Sequence, residues 1–169
     1  MSLNRILPAI ANRDAIYAKE VAQSLQNDSA RNAAILGMHR QLIYKNPIET
    51  FEWVEQQANE ATQKVVAREV TEALLRSDAV KASAWVETLP VGPLRDTGVY
   101  EIITSLRNTS PGEAFPWALS LSDKQASLRQ LRSIVANWKQ LAPKEARQAI
   151  RYSPDLTKAE KESLLEDFE

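Results

Sequence analysis

The chain has no cysteine and a single histidine, His39, in 169 residues. The first absence removes disulfides, thiolate metal sites and cysteine nucleophiles. The second leaves no pair of imidazoles for a zinc site and hangs any histidine-dependent triad on one position. Glycine is scarce as well, with 4 residues, so the tight turns of an all-β fold have little to be made from. No apolar run approaches the length of a membrane span. Neither sign of charge dominates: 21 Lys and Arg face 22 Asp and Glu for a net charge of -1, which gives no bulk reason to expect nucleic acid or an anionic membrane as partner. What remains is 44% hydrophobic and 25% charged residues, the balance of a globular domain long enough to bury about two-thirds of its unfolded surface.

The chain repeats itself. Trp53, Trp85 and Trp117 recur at intervals of 32 residues, each closing a seven-residue phrase that begins at Pro47, Ala79 or Pro111; Pro143 opens a fourth such phrase, ending at Ala149. The residues just before these phrases and their counterpart at position 15 are Asp14, Asn46, Asp78, Ser110 and Ala142. Four of the five are strong N-cap types, and Pro47, Pro111 and Pro143 follow at the first helical position, where a missing N–H costs nothing. Asn46 to Glu49 and Ser110 to Glu113 place a carboxylate at N3, the second being a capping box by residue type. The spacing predicts a helix A starting at 15, 47, 79, 111 and 143.

Within helix A an apolar stripe runs through positions such as 50, 53, 54 and 57, with small residues at Ala18, Thr50, Ala82, Ala114 and Ala146, and the Trp series is expected to pack between helices. New cap residues, Asn27, Asn59 and Asp123, with Val91-Gly92-Pro93 in the remaining unit, predict a helix B about five residues beyond helix A. Its stripe passes through Ile35, Met38, His39 and Leu42 and their counterparts. Pro116 is expected to remove one backbone bond from its helix. A single αα-hairpin cannot bury both stripes, so neighbours must stack. The expected fold is all-α: a right-handed α-α superhelix, or solenoid, of about five αα-hairpins with a 32-residue period. One domain, 1–169, is expected, with a partial helix over 1–14, units 15–46, 47–78, 79–110 and 111–142, and a charged capping unit 143–169. The N-terminal end has no comparably polar cap, the pattern of a segment taken from a longer array.

The phrase from Ala84 through Trp85, Leu89-Pro90-Val91-Gly92-Pro93 and Asp96, followed by a helix and by Pro111-Gly-Glu-Ala-Phe-Pro-Trp117, resembles a short two-helix repeat of uncharacterised bacterial proteins. The resemblance covers roughly residues 15–153 and implies an α-solenoid of tetratricopeptide-like or HEAT-like build. It implies no known activity. The period of 32 differs from the 34 of tetratricopeptides, and the end units carry Val21 and Ala149 in place of Trp.

Few positions suggest chemistry. His39 sits in a column otherwise holding Thr71, Ile103 and Val135, where burial in the core or at a seam explains it. The second unit sums to -4, and its Glu49, Glu52 and Glu55 line one side of a helix, the pattern of a solvated face. Basic excess in units one and four is interrupted by this acidic block, which argues against a continuous groove for nucleic acid. The column beside the helix B core holds Leu36, Arg68, Tyr100 and Arg132, and its neighbour holds Arg40, Glu72, Thr104 and Ala136. Arg and aromatic side chains on a curved face are common anchors in protein recognition. Phe51 and Phe115 share a column with Lys19, Ser83 and Arg147, which predicts a partly exposed place where an aromatic is optional. No phosphate loop, nucleophile elbow or metal-spaced cluster is present.

These readings favour a non-enzymatic module that binds a protein or peptide, with Arg68, Glu72, Tyr100, Arg132, Phe51 and Phe115 as candidate contacts. No catalytic residue, metal or cofactor is expected, and no nucleic acid or membrane span. The alternatives are a structural spacer or assembly segment of a larger protein, self-associating through its N-terminal end, and, behind it, an enzyme or HEAT-like nucleic-acid binder using His39 or the Arg columns.

Overall fold

A computed structural model describes residues 3–166 and Phe168, with side chains from Ile6 onward. Met1 and Ser2 of the expected N-terminal helix, and Asp167 and Glu169 of the expected capping unit, lie outside the described residues. Among the described residues there are eleven helices and no strand. They are α1 (Leu3–Arg13), α2 (Ala15–Gln23), α3 (Asp28–Lys45), α4 (Pro47–Gln57), α5 (Glu60–Ser77), α6 (Ala79–Thr88), α7 (Pro93–Leu106), α8 (Pro111–Leu119), α9 (Lys124–Leu141), α10 (Pro143–Tyr152) and α11 (Lys158–Glu166). The 1–169 span, read from sequence as one domain, divides into two compact units, Met1–Leu89 and Pro90–Glu169.

Local chemistry explains the helix starts. The short helices α2, α4, α6, α8 and α10 begin at residues 15, 47, 79, 111 and 143, directly after the column of cap residues. Asp14, Asn46 and Asp78 each accept from a first-turn amide, those of Tyr17, Glu49 and Lys81. Asn27, Asn59 and Asp123 do the same for α3, α5 and α9. The capping box expected at Ser110 does not form: its side chain makes no cap bond, and the Glu113 amide donates instead to the Ser110 carbonyl at 2.9 Å. A complete box appears at Thr157 and Glu160 ahead of α11, where each amide donates to the other's side chain. Pro116 lies inside α8 without ending it, and the helix closes at Ser120, whose amide reaches the carbonyls of Pro116 and Trp117.

In unit 1, α3 packs on α1, α2, α4 and α5, and α5 packs on α4 and α6. In unit 2, α8 packs on α7, α9 and α10, and α11 on α9 and α10. The small-residue column behaves as its sizes require: Ala18, Ala82, Ala114 and Ala146 have no exposed surface and Thr50 almost none. Absent side-chain bulk there lets α-helices approach until the long aliphatics fill the space, among them Ile35 and Met38 on α3, Val66 and Val70 on α5, and Leu131 and Ile134 on α9. Each such side chain contributes about 1.5–3 kcal/mol by leaving water.

The aromatics divide differently from the sequence reading. Trp85 is buried, while Trp53 and Trp117 are half-buried. Phe51 and Phe115, expected to be partly exposed, are only 2% and 5% exposed. Phe51 meets Trp85 edge-on at 5.4 Å, and Phe115 lies 5.8 Å from Trp138. The Lys, Ser and Arg elsewhere in that column misled the expectation. Gly112 has a steric role: a Cβ there would come within 3.1 Å of the Trp138 ring. Gly92, at φ 151, turns the chain into α7 through a backbone region other residues rarely adopt.

Polar side chains near the starts of α3 and α7 fasten the loops that lead into α5 and α9. Asn32 on α3, nearly buried, accepts the Asn59 amide at 3.0 Å, and Arg31 donates to the carbonyls of Leu25 and Gln57. In unit 2, Asp96 on α7 accepts the amide and the hydroxyl of Ser122, and Arg95 donates to the Ser120 carbonyl. The far ends are tied too: Lys45 donates to the carbonyls of Ala11 and Asn12 at the end of α1, and Asn137 to that of Arg107 just beyond α7. These carbonyls have no partner within their own helices. Replacing Asp96 with Ala takes the shared acceptor from both Ser122 donors. Denaturant unfolding of Asp96→Ala is expected to show a loss of about 1–3 kcal/mol, with Asp96→Asn, which keeps an acceptor oxygen, losing less.

Candidate functional site

The outward face of the long helices in unit 1 is set by positions one helical turn apart. On α3 they are Leu36, Arg40 and Tyr44; on α5, Arg68, Glu72 and Arg76. All are exposed except the half-buried Glu72, and Tyr44 is 92% exposed. Between the two helices lies a cleft of about 600 Å³, walled by Arg40, Tyr44, Arg68, Glu72 and Arg76 over Ile43 and Ala73. The i, i+4, i+8 spacing puts these side chains in rows because each turn of helix takes nearly four residues.

Electrostatics inside the cleft are uneven. Glu69 is held by Arg40 in a two-pronged pair, Nε to Oε2 at 3.0 Å and Nη2 to Oε1 at 3.1 Å. Beneath it His39, 6% exposed, places Nε2 at 3.1 Å from the same Oε2 and Nδ1 at 2.8 Å from the Leu36 carbonyl. Burial pushes the Glu69 carboxyl up, but the hydrogen bonds and charges of Arg40 and His39 outweigh it, so its pKa falls below the usual carboxylate value. By contrast, Arg68 Nε is 3.7 Å from Glu72 Oε1, with both side chains open to water. Arg76 makes no ion pair among the described residues.

The six residues singled out from sequence separate accordingly. Arg68 and Glu72 share the cleft. Phe51 lies in the core of unit 1 and Phe115 in that of unit 2, so neither offers a surface. Tyr100 is half-buried on α7. Arg132 is exposed on α9, where its Nη2 is 3.4 Å from Ser163 Oγ beside a small hollow of about 180 Å³. The repeat also left a trace of what the reading missed: Tyr44 and Arg76 occupy one column, a turn beyond Arg40 and Glu72. Glu69 recurs in its column only as Glu101, beside Gly37 and Ser133, and the His39 and Arg40 that hold it have no like residues in their own columns.

A second hollow in unit 1, about 730 Å³, lies at the start of α3 and the end of α4. Its most capable groups, Arg31 and Asn32, are already bonded to backbone. Both ring nitrogens of His39 face acceptors and the ring is covered, so no substrate reaches it. Among the described residues, no cluster of three or more His, Cys, Asp or Glu is placed to hold a metal ion. No helix of these residues is long and apolar enough to cross a membrane. No family model, no curated protein and no solved structure matches the chain.

Glu69, ionised and paired, stabilises the fold above the ordinary carboxylate pKa, and that contribution is lost as pH falls through its lowered value in the folded chain. Glu69→Gln is expected to be less stable than the parent at neutral pH by on the order of 1 kcal/mol. The gap should close as pH falls through the lowered Glu69 value, beneath the ordinary carboxylate range, read from thermal melts across the acid range.

Proposed function

We propose that the chain is a non-enzymatic helical-repeat module that binds a protein or peptide along the outward face of its long helices. The observation that carries this reading is the cleft between α3 and α5. It combines two weakly engaged guanidinium groups, a half-buried carboxylate and an exposed tyrosine over an apolar floor. Such a mix of Arg and aromatic side chains favours polypeptide recognition, and its rigid helical walls limit the entropy lost on binding.

The right-handed superhelix of about five αα-hairpins, of tetratricopeptide-like or HEAT-like build, belongs to the same proposal. It is supported by the 32-residue spacing of the short helices and by fastenings of one kind, Arg31 with Asn32 and Arg95 with Asp96, recurring in each unit. A structural or assembly role is the second reading. It is favoured by Ile16 and Tyr17, 72% and 54% exposed on α2, a patch that a second copy would cover.

Panning a random peptide library on the immobilised chain is expected to retain ligands. Arg68→Ala with Glu72→Ala should weaken the recovered peptides by about tenfold while circular dichroism is unchanged. A chain that retains no peptide at any concentration, or that turns over a small molecule, would overturn the proposal. Light scattering reports on the second reading, which predicts a dimer that Tyr17→Glu dissolves.

A further inference from the structure

We infer that the α3/α5 cleft takes an extended acidic peptide whose two carboxylates stand four residues apart, one on Arg68 and one on Arg76; this rests on the polypeptide-binding reading above. The charges decide it. Of the three guanidinium groups in the cleft, Arg40 is spent on Glu69, which His39 also faces. Arg68 and Arg76 have between them only Glu72, and only Arg68 touches it, at 3.7 Å with side chains 52% and 39% exposed. An exposed pair at that distance is surrendered at little cost. The open wall of α5 therefore presents two positive groups around one negative group.

Spacing then selects the ligand. Arg68 and Arg76 are eight residues apart on one helix face, about 12 Å along the axis at 1.5 Å per residue. An extended chain advances about 3.3 Å per residue and returns to the same face every second one, so residues i and i+4 lie about 13 Å apart and point the same way. Residue i+2 then falls opposite Glu72, where a hydroxyl or amide donor fits and a third carboxylate is repelled. Tyr44, standing on α3 across the cleft, offers a flat ring to an apolar side chain of the peptide at low entropic cost. Glu72 also argues against a nucleic-acid strand, whose unbroken row of phosphates would be driven onto a carboxylate.

The test is fluorescence anisotropy with capped synthetic peptides carrying Glu at i and i+4 and Ser at i+2. The comparison peptides have Gln at both acidic positions, Lys at both, or Glu at i and i+3, and a single-stranded oligonucleotide is run alongside. The i, i+4 peptide is expected to bind the parent chain about tenfold more tightly than the Gln and i+3 peptides, with added salt weakening it. In the double variant Arg68→Glu, Arg76→Glu the preference should pass to the Lys peptide, while Arg129→Glu, in unit 2, leaves the parent's order intact. Equal binding of the Glu and Gln peptides, abolished together by the double variant, would overturn the acidic ligand and leave the polypeptide-binding reading standing. Binding of none of the peptides would overturn both. Tighter binding of the oligonucleotide, or acidic-peptide binding untouched by the double variant or equally weakened by Arg129→Glu, would overturn the assignment to this cleft.

Discussion

The fold depends on one contact made twice: a polar side chain near the start of a long helix, Asn32 on α3 and Asp96 on α7, satisfies backbone in the loop leading to the next. Apolar stripes supply most of the free energy, but they do not specify how far one helix slides along another, since burial has no direction. Asn32 on the Asn59 amide, and Asp96 on the Ser122 amide, do specify it. The acceptors Asn32 and Asp96 are themselves buried, so a displaced register would leave each without its partner at a cost. Lys45 and Asn137 apply the same logic near the opposite ends of α3 and α9, so α3 is located at both extremities.

The same fastening explains why polar groups remain uncommitted on the outward face. Once the loops have consumed Arg31, Asn32, Arg95 and Asp96, and the pair Arg40–Glu69 has joined α3 to α5, polar groups still uncommitted lie on the solvent side of α5. Their positions inherit the rigidity of the helices that carry them.

Much of the helix plan was legible in the residues. Cap columns, prolines at the first helical position and the 32-residue recurrence located the starts of α2, α4, α6, α8 and α10, because these are local effects whose causes lie within a turn of the residue concerned. The small-residue column was legible for a similar reason: an alanine in an apolar stripe is informative about the distance of the neighbouring helix. Exposure of Phe51 and Phe115 was misread because it depends on which ring sits across from them, Trp85 and Trp138, and a column cannot show its partner. Glu69 was hidden more completely. Its role comes from His39 and Arg40, some thirty residues earlier, and the repeat offers no counterpart at either place. The cleft was half visible: Arg68 and Glu72 stood out, whereas Tyr44 and Arg76 needed the same columns followed one turn further.

The fit between Gly112 and Trp138 has a meaning for how such a chain changes over time. Most repeats carry a branched residue at the first of these positions and leucine at the second, Ile48 and Val80 being matched by Leu74 and Leu106. Here the bulk lies on α9, and the Trp138 ring has its place because position 112 carries no Cβ. Segments of equal length look like interchangeable cassettes, but this one is not: α9 set beside a helix with any side chain at the place of Gly112 would bring the Trp138 ring against it. The even spacing of the helices thus conceals a private agreement between two residues.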